Sequence, residues 1–127
     1  MRMRRLGELE MLVMERMWSW GRPAAVRDVL EDLQNERALA YTTVMTVMDN
    51  LHRKAMLTRE KDGRAWAYLP ALSREQYIAA IMTEALASTS DRTGTLLHFM
   101  AQMPSEEAAL LRQALDGRLE DRGGPAR

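Results

Sequence analysis

Tyr41-Thr-Thr-Val-Met-Thr-Val-Met-Asp-Asn-Leu-His-Arg-Lys54 runs directly into Ala55-Met-Leu-Thr-Arg-Glu-Lys-Asp-Gly-Arg-Ala-Trp-Ala-Tyr-Leu-Pro70, and the two stretches keep different rhythms. In the first, Val44, Val47, Met48 and Leu51 recur at three- and four-residue spacing, which predicts a helix from about Tyr41 to Lys54 with those four on one side. Thr42, Met45, Thr46, Asp49, Asn50 and Arg53 fall on the other side, short-chained at its N-terminal end and basic at its C-terminal end. In the second stretch, Leu57 to Lys61 and Arg64 to Leu69 flank Asp62-Gly63, a strong short-range hairpin signal, and the alternation of Trp66 and Tyr68 suits a strand.

Upstream, Leu9, Leu12, Val13, Met17 and Trp20 form the stripe of an amphipathic helix, with Glu8 and Glu10 placed well in its first turn, and Gly21-Arg22-Pro23 ends it. Val26, Val29, Leu30 and Leu33 repeat that period over a second helix of roughly Ala25 to Asn35, where Asp28, Glu31 and Asp32 face water. Downstream, Ser73 and Gln76 read as a capping box that opens a helix carrying Tyr77, Ile78, Ile81, Ala85 and Leu86 on one face. Ser88 to Gly94 is a polar break. Leu96, Leu97, Phe99, Met100 and Met103 make a fifth stripe, and Pro104-Ser105-Glu106-Glu107 begins a sixth with Leu110, Leu111, Ala114 and Leu115. From Asp116 the chain ends in Gly-Gly-Pro and reads as a frayed tail.

The expected fold is mostly α with a small β-hairpin wing: a winged helix-turn-helix over residues 1–71, a C-terminal helical dimerisation module over 72–117 and a flexible tail over 118–127. Three short helices, each apolar on one face, hide too little surface alone, so a second copy of the chain is the natural cover. The dimerisation residues expected on that ground are Tyr77, Ile78, Ile81, Leu86, Leu96, Leu97, Phe99, Met100, Leu110, Leu111 and Leu115.

Composition narrows the function. Of 127 residues, 46% are apolar and 28% charged, as in an ordinary globular chain. Net charge is zero, which by itself lends nucleic-acid binding no support, but its distribution is uneven: residues 1–72 hold twelve Lys/Arg against ten Asp/Glu, and the remainder six against eight. The absence of cysteine excludes disulfides, thiolate chemistry and Cys-ligated metals. Met1-Arg-Met-Arg-Arg5 is basic, but Gly7, Glu8, Glu10 and Glu15 interrupt any apolar signal region, and no run reaches membrane-spanning length. A cytoplasmic protein without membrane insertion is expected. His52 and His98 lie in different modules, and no nucleophile motif, Gly-rich phosphate loop or metal-ligand spacing is present, so neither enzymatic activity nor a cofactor nor a metal is expected.

In a winged helix-turn-helix the third helix enters the major groove and the wing lies near the backbone or minor groove. Threonine reads either base type, asparagine prefers adenine, and arginine or lysine grips phosphate. The DNA-binding candidates are therefore Thr42, Thr43, Met45, Thr46 and Asn50 toward bases or sugars, with Arg53, Lys54, Lys61 and Arg64 toward phosphates. Thr42 fits a helix cap equally well. Most of the eleven methionines sit on core stripes, where packing is their role.

Tyr41 to Leu51, then Lys54-Ala-Met-Leu57, then Asp62-Gly-Arg64 and Tyr68-Leu-Pro70, together with the opening Leu9-Glu-Met-Leu-Val-Met-Glu-Arg-Met-Trp18, resemble the penicillinase-repressor family, also called BlaI/MecI/CopY. The likeness spans residues 6–115. It implies a repressor whose winged helix binds a palindromic double-stranded operator while its C-terminal helices entwine with a second copy. It further implies control of β-lactamase or related resistance genes, and release when a membrane sensor-protease causes cleavage in a C-terminal helix. The family's contact residues carry over onto Thr42, Thr43 and Thr46, although some members have a basic residue at the positions of Thr42 and Met45. Members that are cut typically carry Asn-Phe at the scissile bond, where this chain has His98-Phe99. The copper-responsive branch uses C-terminal cysteines, which are missing here. Two other readings stay open: a dimeric adaptor whose winged helix binds protein, and a winged-helix regulator that senses a small ligand.

Overall fold

Eight elements follow one another in the computed structural model, which describes residues 5–123: α1 (Glu8–Trp20), α2 (Val26–Leu33), α3 (Tyr41–Arg53), β1 (Leu57–Asp62), β2 (Ala65–Pro70), α4 (Arg74–Ala87), α5 (Arg92–Ala101) and α6 (Ser105–Gly123). The fold is the expected one, mostly helical with an antiparallel hairpin wing. The basic residues 1–4 and the last four residues of the chain lie outside the described part. Among the described residues no helix is long and apolar enough to cross a membrane.

Local chemistry sets the helix ends. The Glu10 carboxylate accepts from the Gly7 backbone N–H at 3.0 Å, closing the first turn of α1, and Gly21 ends the helix at φ 61°, a left-handed conformation that costs glycine little. The Ser73/Gln76 box forms as expected: the Gln76 N–H donates to Ser73 Oγ at 3.0 Å and the Ser73 N–H to Gln76 Oε1 at 2.8 Å. α2 is shorter than its sequence pattern implies, with a turn over 34–36.

The third helix stops by a device that its sequence hides. The Ala55 N–H donates to His52 O at 3.1 Å and the Met56 N–H to Leu51 O at 2.9 Å, a Schellman pair around Ala55 at φ 62°. An alanine thus occupies a conformation that favours glycine. The turn aims Met56 and Leu57 into the core, where both are buried.

One core serves α1, α2, α3, the hairpin and the first half of α4. Val13, Met14, Met17, Val29, Leu33, Val44, Met48, Leu51 and Met56 are all fully buried, joined by Leu57, Tyr68 and Tyr77. At about 2–5 kcal/mol for truncating a buried methionine or leucine to alanine, any of these changes removes a large share of the stability of a unit this size. The wing gains a third partner that its sequence does not announce: Ala24 and Tyr68 exchange backbone hydrogen bonds of 2.9 and 2.8 Å, tying the α1–α2 connection to β2.

Within the hairpin the turn is Gly63-Arg64 rather than Asp62-Gly63. Asp62 pairs with Ala65, and Gly63 takes the first turn position at φ 67°. The expected register would set Lys61 directly against Arg64, two like charges. In the observed one Lys61 faces Trp66 and Arg59 faces Tyr68.

The chain divides into two compact units between Glu84 and Ala85, not at residues 71/72. α4 begins as part of the first unit. Trp18 Nε1 donates to Leu72 O at 2.9 Å, Arg74 holds Glu15 through two contacts of 3.1 and 2.8 Å, and Tyr77 packs on Trp18 with ring centroids 5.9 Å apart. Tyr77 Oη also accepts from the Leu6 N–H at 3.0 Å. Tyr77 is thus a core residue of the first unit rather than a dimerisation residue, and Ile81 packs half-buried against the same core. Periodicity placed both on an apolar face but carried no information about what covers it.

The second unit contains α5 and α6. Asp91 caps α5, accepting from the Gly94 N–H at 2.9 Å, so α5 begins inside the stretch read as a polar break. A Cβ at Gly94 would lie 2.2 Å from that carboxylate, and only glycine permits the cap as built. α6 continues through Asp116 as far as Gly123, where a frayed tail was expected. Its i to i−4 backbone hydrogen bonds outlast the last apolar residue of the stripe.

Candidate nucleic-acid interface

The core stripe of α3 orients its other side. With Val44, Met48 and Leu51 fully buried, Tyr41, Thr42, Thr43, Met45 and Thr46 are exposed, Met45 by 42%, while Asp49 and Asn50 are half-buried. Of the sequence candidates toward bases, all but Asn50 lie open on the first two turns, and Tyr41 joins them. Exposure of Tyr41 was legible only from its place just before the stripe.

The cations divide into two groups. Arg53 is exposed, with 74% of its side chain accessible, and reaches back one turn to Asp49 at 3.0 Å. Lys54 behaves differently: its Nζ donates to both carboxylate oxygens of Glu10, at 2.9 and 2.7 Å, and joins the end of α3 to α1. Lys54, expected toward phosphate, is thus paired within the chain. Burial works to raise the Glu10 carboxyl, but the hydrogen bond from Lys54, the Gly7 N–H and the nearby ammonium outweigh it and hold that carboxyl below the usual range.

Arg59, which the candidate list lacked, links the hairpin to the helix. From β1 its Nη1 donates to Asp49 Oδ1 at 3.1 Å and to Tyr68 Oη at 3.4 Å, and its guanidinium lies 4.2 Å from the centre of the Trp66 ring. Lys61 Nζ sits 4.4 Å from the centre of the same ring. Asp49 is therefore shared between Arg53 on α3 and Arg59 on β1. No spacing rule signals a contact between residues ten apart across a helix end and a strand. Arg64 stands exposed at the apex of the wing turn.

In the second unit α5 has no buried residue at all: Leu96, Leu97, Phe99 and Met100 are exposed, as are Leu110, Leu111 and Leu115 on α6, while Leu86 is half-buried. Ile78 and Met82 on α4 are exposed in the first unit. Exposed apolar side chains are denser here than on an ordinary solvated face. His98 and Phe99 both lie in the interior of α5, exposed.

Three helices with a hairpin fastened to the third, and the outward side of that helix open, define a winged helix, followed in the chain by a helical unit with exposed apolar faces. Residues 6–117 match the family described as Penicillinase repressor, and the chain belongs to that family. It is a transcriptional repressor and not an enzyme. It is 43% identical over 114 residues to the Transcriptional regulator BlaI of Mycobacterium tuberculosis in strains CDC 1551 and H37Rv, a match covering 87% of this chain and 83% of the relative.

Solved structures share the fold. The solution structure of the DNA binding domain of the repressor BlaI superposes with a TM-score of 0.53 at 23% identity, covering 61% of this chain and 94% of that one. The monomeric form of Bacillus licheniformis BlaI in complex with the blaP half-operator gives 0.50 at 22%, covering 60% and 92%. A mutant of S. aureus MepR bound to an oligodeoxyribonucleotide gives 0.51 at 18%, covering 91% and 79%.

Proposed function

We propose that the chain represses transcription as a homodimer that seats its two α3 helices in major grooves of a palindromic operator and so occludes a promoter. The observation that carries this reading is the open outward side of α3, with Thr42, Thr43, Met45 and Thr46 exposed on a helix whose other side is fully packed. Arg53 behind these residues, and Lys61 and Arg64 on the wing, contact phosphate and hold the helix in register. Two-fold symmetry puts the half-sites about one helical turn, roughly 34–36 Å, or a multiple of it apart.

The apolar side chains of α5 and α6 join the two copies, and Ile78 and Leu86 of α4 are further dimerisation residues. Burying a leucine contributes about 1.5–3 kcal/mol, so several such residues on each chain outweigh the cost of association. The genes controlled are β-lactamase or related resistance genes. Relief comes through a sensor-protease pathway that cuts at His98–Phe99 and divides the dimerising helices.

Sedimentation combined with a mobility-shift titration tests the whole. The chain is expected to run as two copies and to retain DNA fragments, with affinity falling steeply as salt rises because the release of counterions that drives binding gains less at high salt. Leu97→Glu or Leu110→Glu should yield a folded monomer with much weaker operator binding, and a chain severed at His98–Phe99 should do the same. Absence of any retained DNA at low salt would overturn this reading in favour of a protein-binding adaptor.

A further inference from the structure

Resting on that reading, the chemistry of the α3 face identifies what it recognises in the groove. From Ala40 to Leu51 the helix contains no arginine, lysine, glutamine or glutamate. The bidentate donors that read guanine are therefore absent from its first three turns. Asp49 is occupied by Arg53 and Arg59, and Asn50 is half-buried. Besides Tyr41 at the start of the helix, the open positions are Thr42, Thr43 and Thr46, each with a hydroxyl and a Cγ2 methyl, and Met45 with 42% of its surface in water.

An exposed methionine in the middle of a face that must enter a groove gains nothing from solvent. It gains by meeting an apolar group, and the major groove of B-DNA offers one, the C5-methyl of thymine. Methionine suits such a contact because its unbranched side chain adapts to the position of the methyl. Thr42 has Met45 three residues on and Thr46 four residues on, so it adjoins both and the three share the outward side of the helix.

We propose that this repressor reads its half-site mainly through thymine methyl groups, packed against Met45, Thr42 and Thr46, instead of through hydrogen bonds to guanine. Specificity then depends on groups that can be removed from DNA without altering base pairing. Deoxyuridine differs from thymidine only by that methyl and preserves the acceptor pattern of the base.

The test uses the full chain and a duplex recovered with it from a random-sequence pool, resynthesised with deoxyuridine at one thymine position at a time. Affinity should fall about fourfold at each contacted position, the effect of about one buried methyl group, and stay unchanged elsewhere. Met45→Ala should weaken binding of the thymine duplex and abolish the effect of uracil at one position, so that the two changes are not additive. Undiminished binding of a duplex with every thymine replaced overturns this inference while leaving the repressor reading intact. Additivity of Met45→Ala with uracil at every position overturns the role of Met45. A chain that retains no recovered duplex at all overturns the operator reading itself.

Discussion

Asp49 on α3 accepts from Arg59 on β1 at 3.1 Å, a polar tie between the helix and the hairpin beside the core contacts of Leu57 and Tyr68. The guanidinium cannot swing outward easily, because Tyr68 Oη and the face of Trp66 hold it from the other sides. Arg59 is therefore a positioning residue for the wing, not a phosphate contact. Asp49→Asn should cost operator affinity roughly threefold to tenfold, and Arg64→Ala a similar amount. The double variant should lose little more than either alone, since an unfastened wing no longer presents Arg64. Strict additivity in such a cycle would show that the wing keeps its place without Asp49.

Neighbouring cations at the end of α3 should respond differently to salt. Arg53→Ala should reduce the slope of log affinity against log salt by about one, because Arg53 is exposed enough to exchange Asp49 for a phosphate. Lys54→Ala should leave that slope unchanged and instead lower stability by at most about 1 kcal/mol, as expected for a partly exposed ion pair with Glu10. Equal slopes for the two variants would contradict the division.

The Glu10 carboxyl has a depressed pKa in the folded chain, so its contribution is present above the ordinary value of 4.5 and is lost as pH falls through and below that value. Glu10→Gln should be less stable than the parent near neutrality, by about 1 kcal/mol or some 4–8 °C in Tm. As pH falls from 4.5 through the lower value of the folded carboxyl, the two melting curves should converge. A gap that persists unchanged into acid would mean that the Gly7 cap and the Lys54 pair contribute nothing through charge.

Ala55 carries a left-handed φ of 62° in the turn that ends α3. Ala55→Gly should relieve the clash of Cβ with the backbone and raise stability by about 0.5–1 kcal/mol, after the larger entropy of glycine in the unfolded chain is offset. Thermal or urea denaturation reads the change, and a lower midpoint would show that the turn is not strained.

The helices and the wing were legible because their signals are local. The Val44/Met48/Leu51 stripe is buried as its period requires, and Ser73 with Gln76 forms the cap that their spacing announces. The turn of the hairpin slipped by one residue because Asp-Gly and Gly-Arg both suit a tight turn, and only cross-strand pairs of Lys61 with Trp66 and Arg59 with Tyr68 choose between them. The outward side of α3 is exposed where the period places it, except that Asn50 is half-buried. The pairing of Lys54 was not legible, because nothing in its neighbourhood names Glu10, which lies 44 residues away.

Periodicity, capping and composition were enough to establish the order of the elements, the buried side of each, and a cysteine-free chain without catalytic motifs, since each of these depends on residues within a turn or two of one another. Which apolar side chains are covered by the chain itself, as Tyr77 is, and which stay exposed, as Leu97 and Leu110 do, emerged only in three dimensions. The reason is that an amphipathic stripe records a preference for leaving water but not the identity of the surface that meets it. The same holds for Asp49, Glu10 and Arg59, whose partners are chosen by the packing of distant segments.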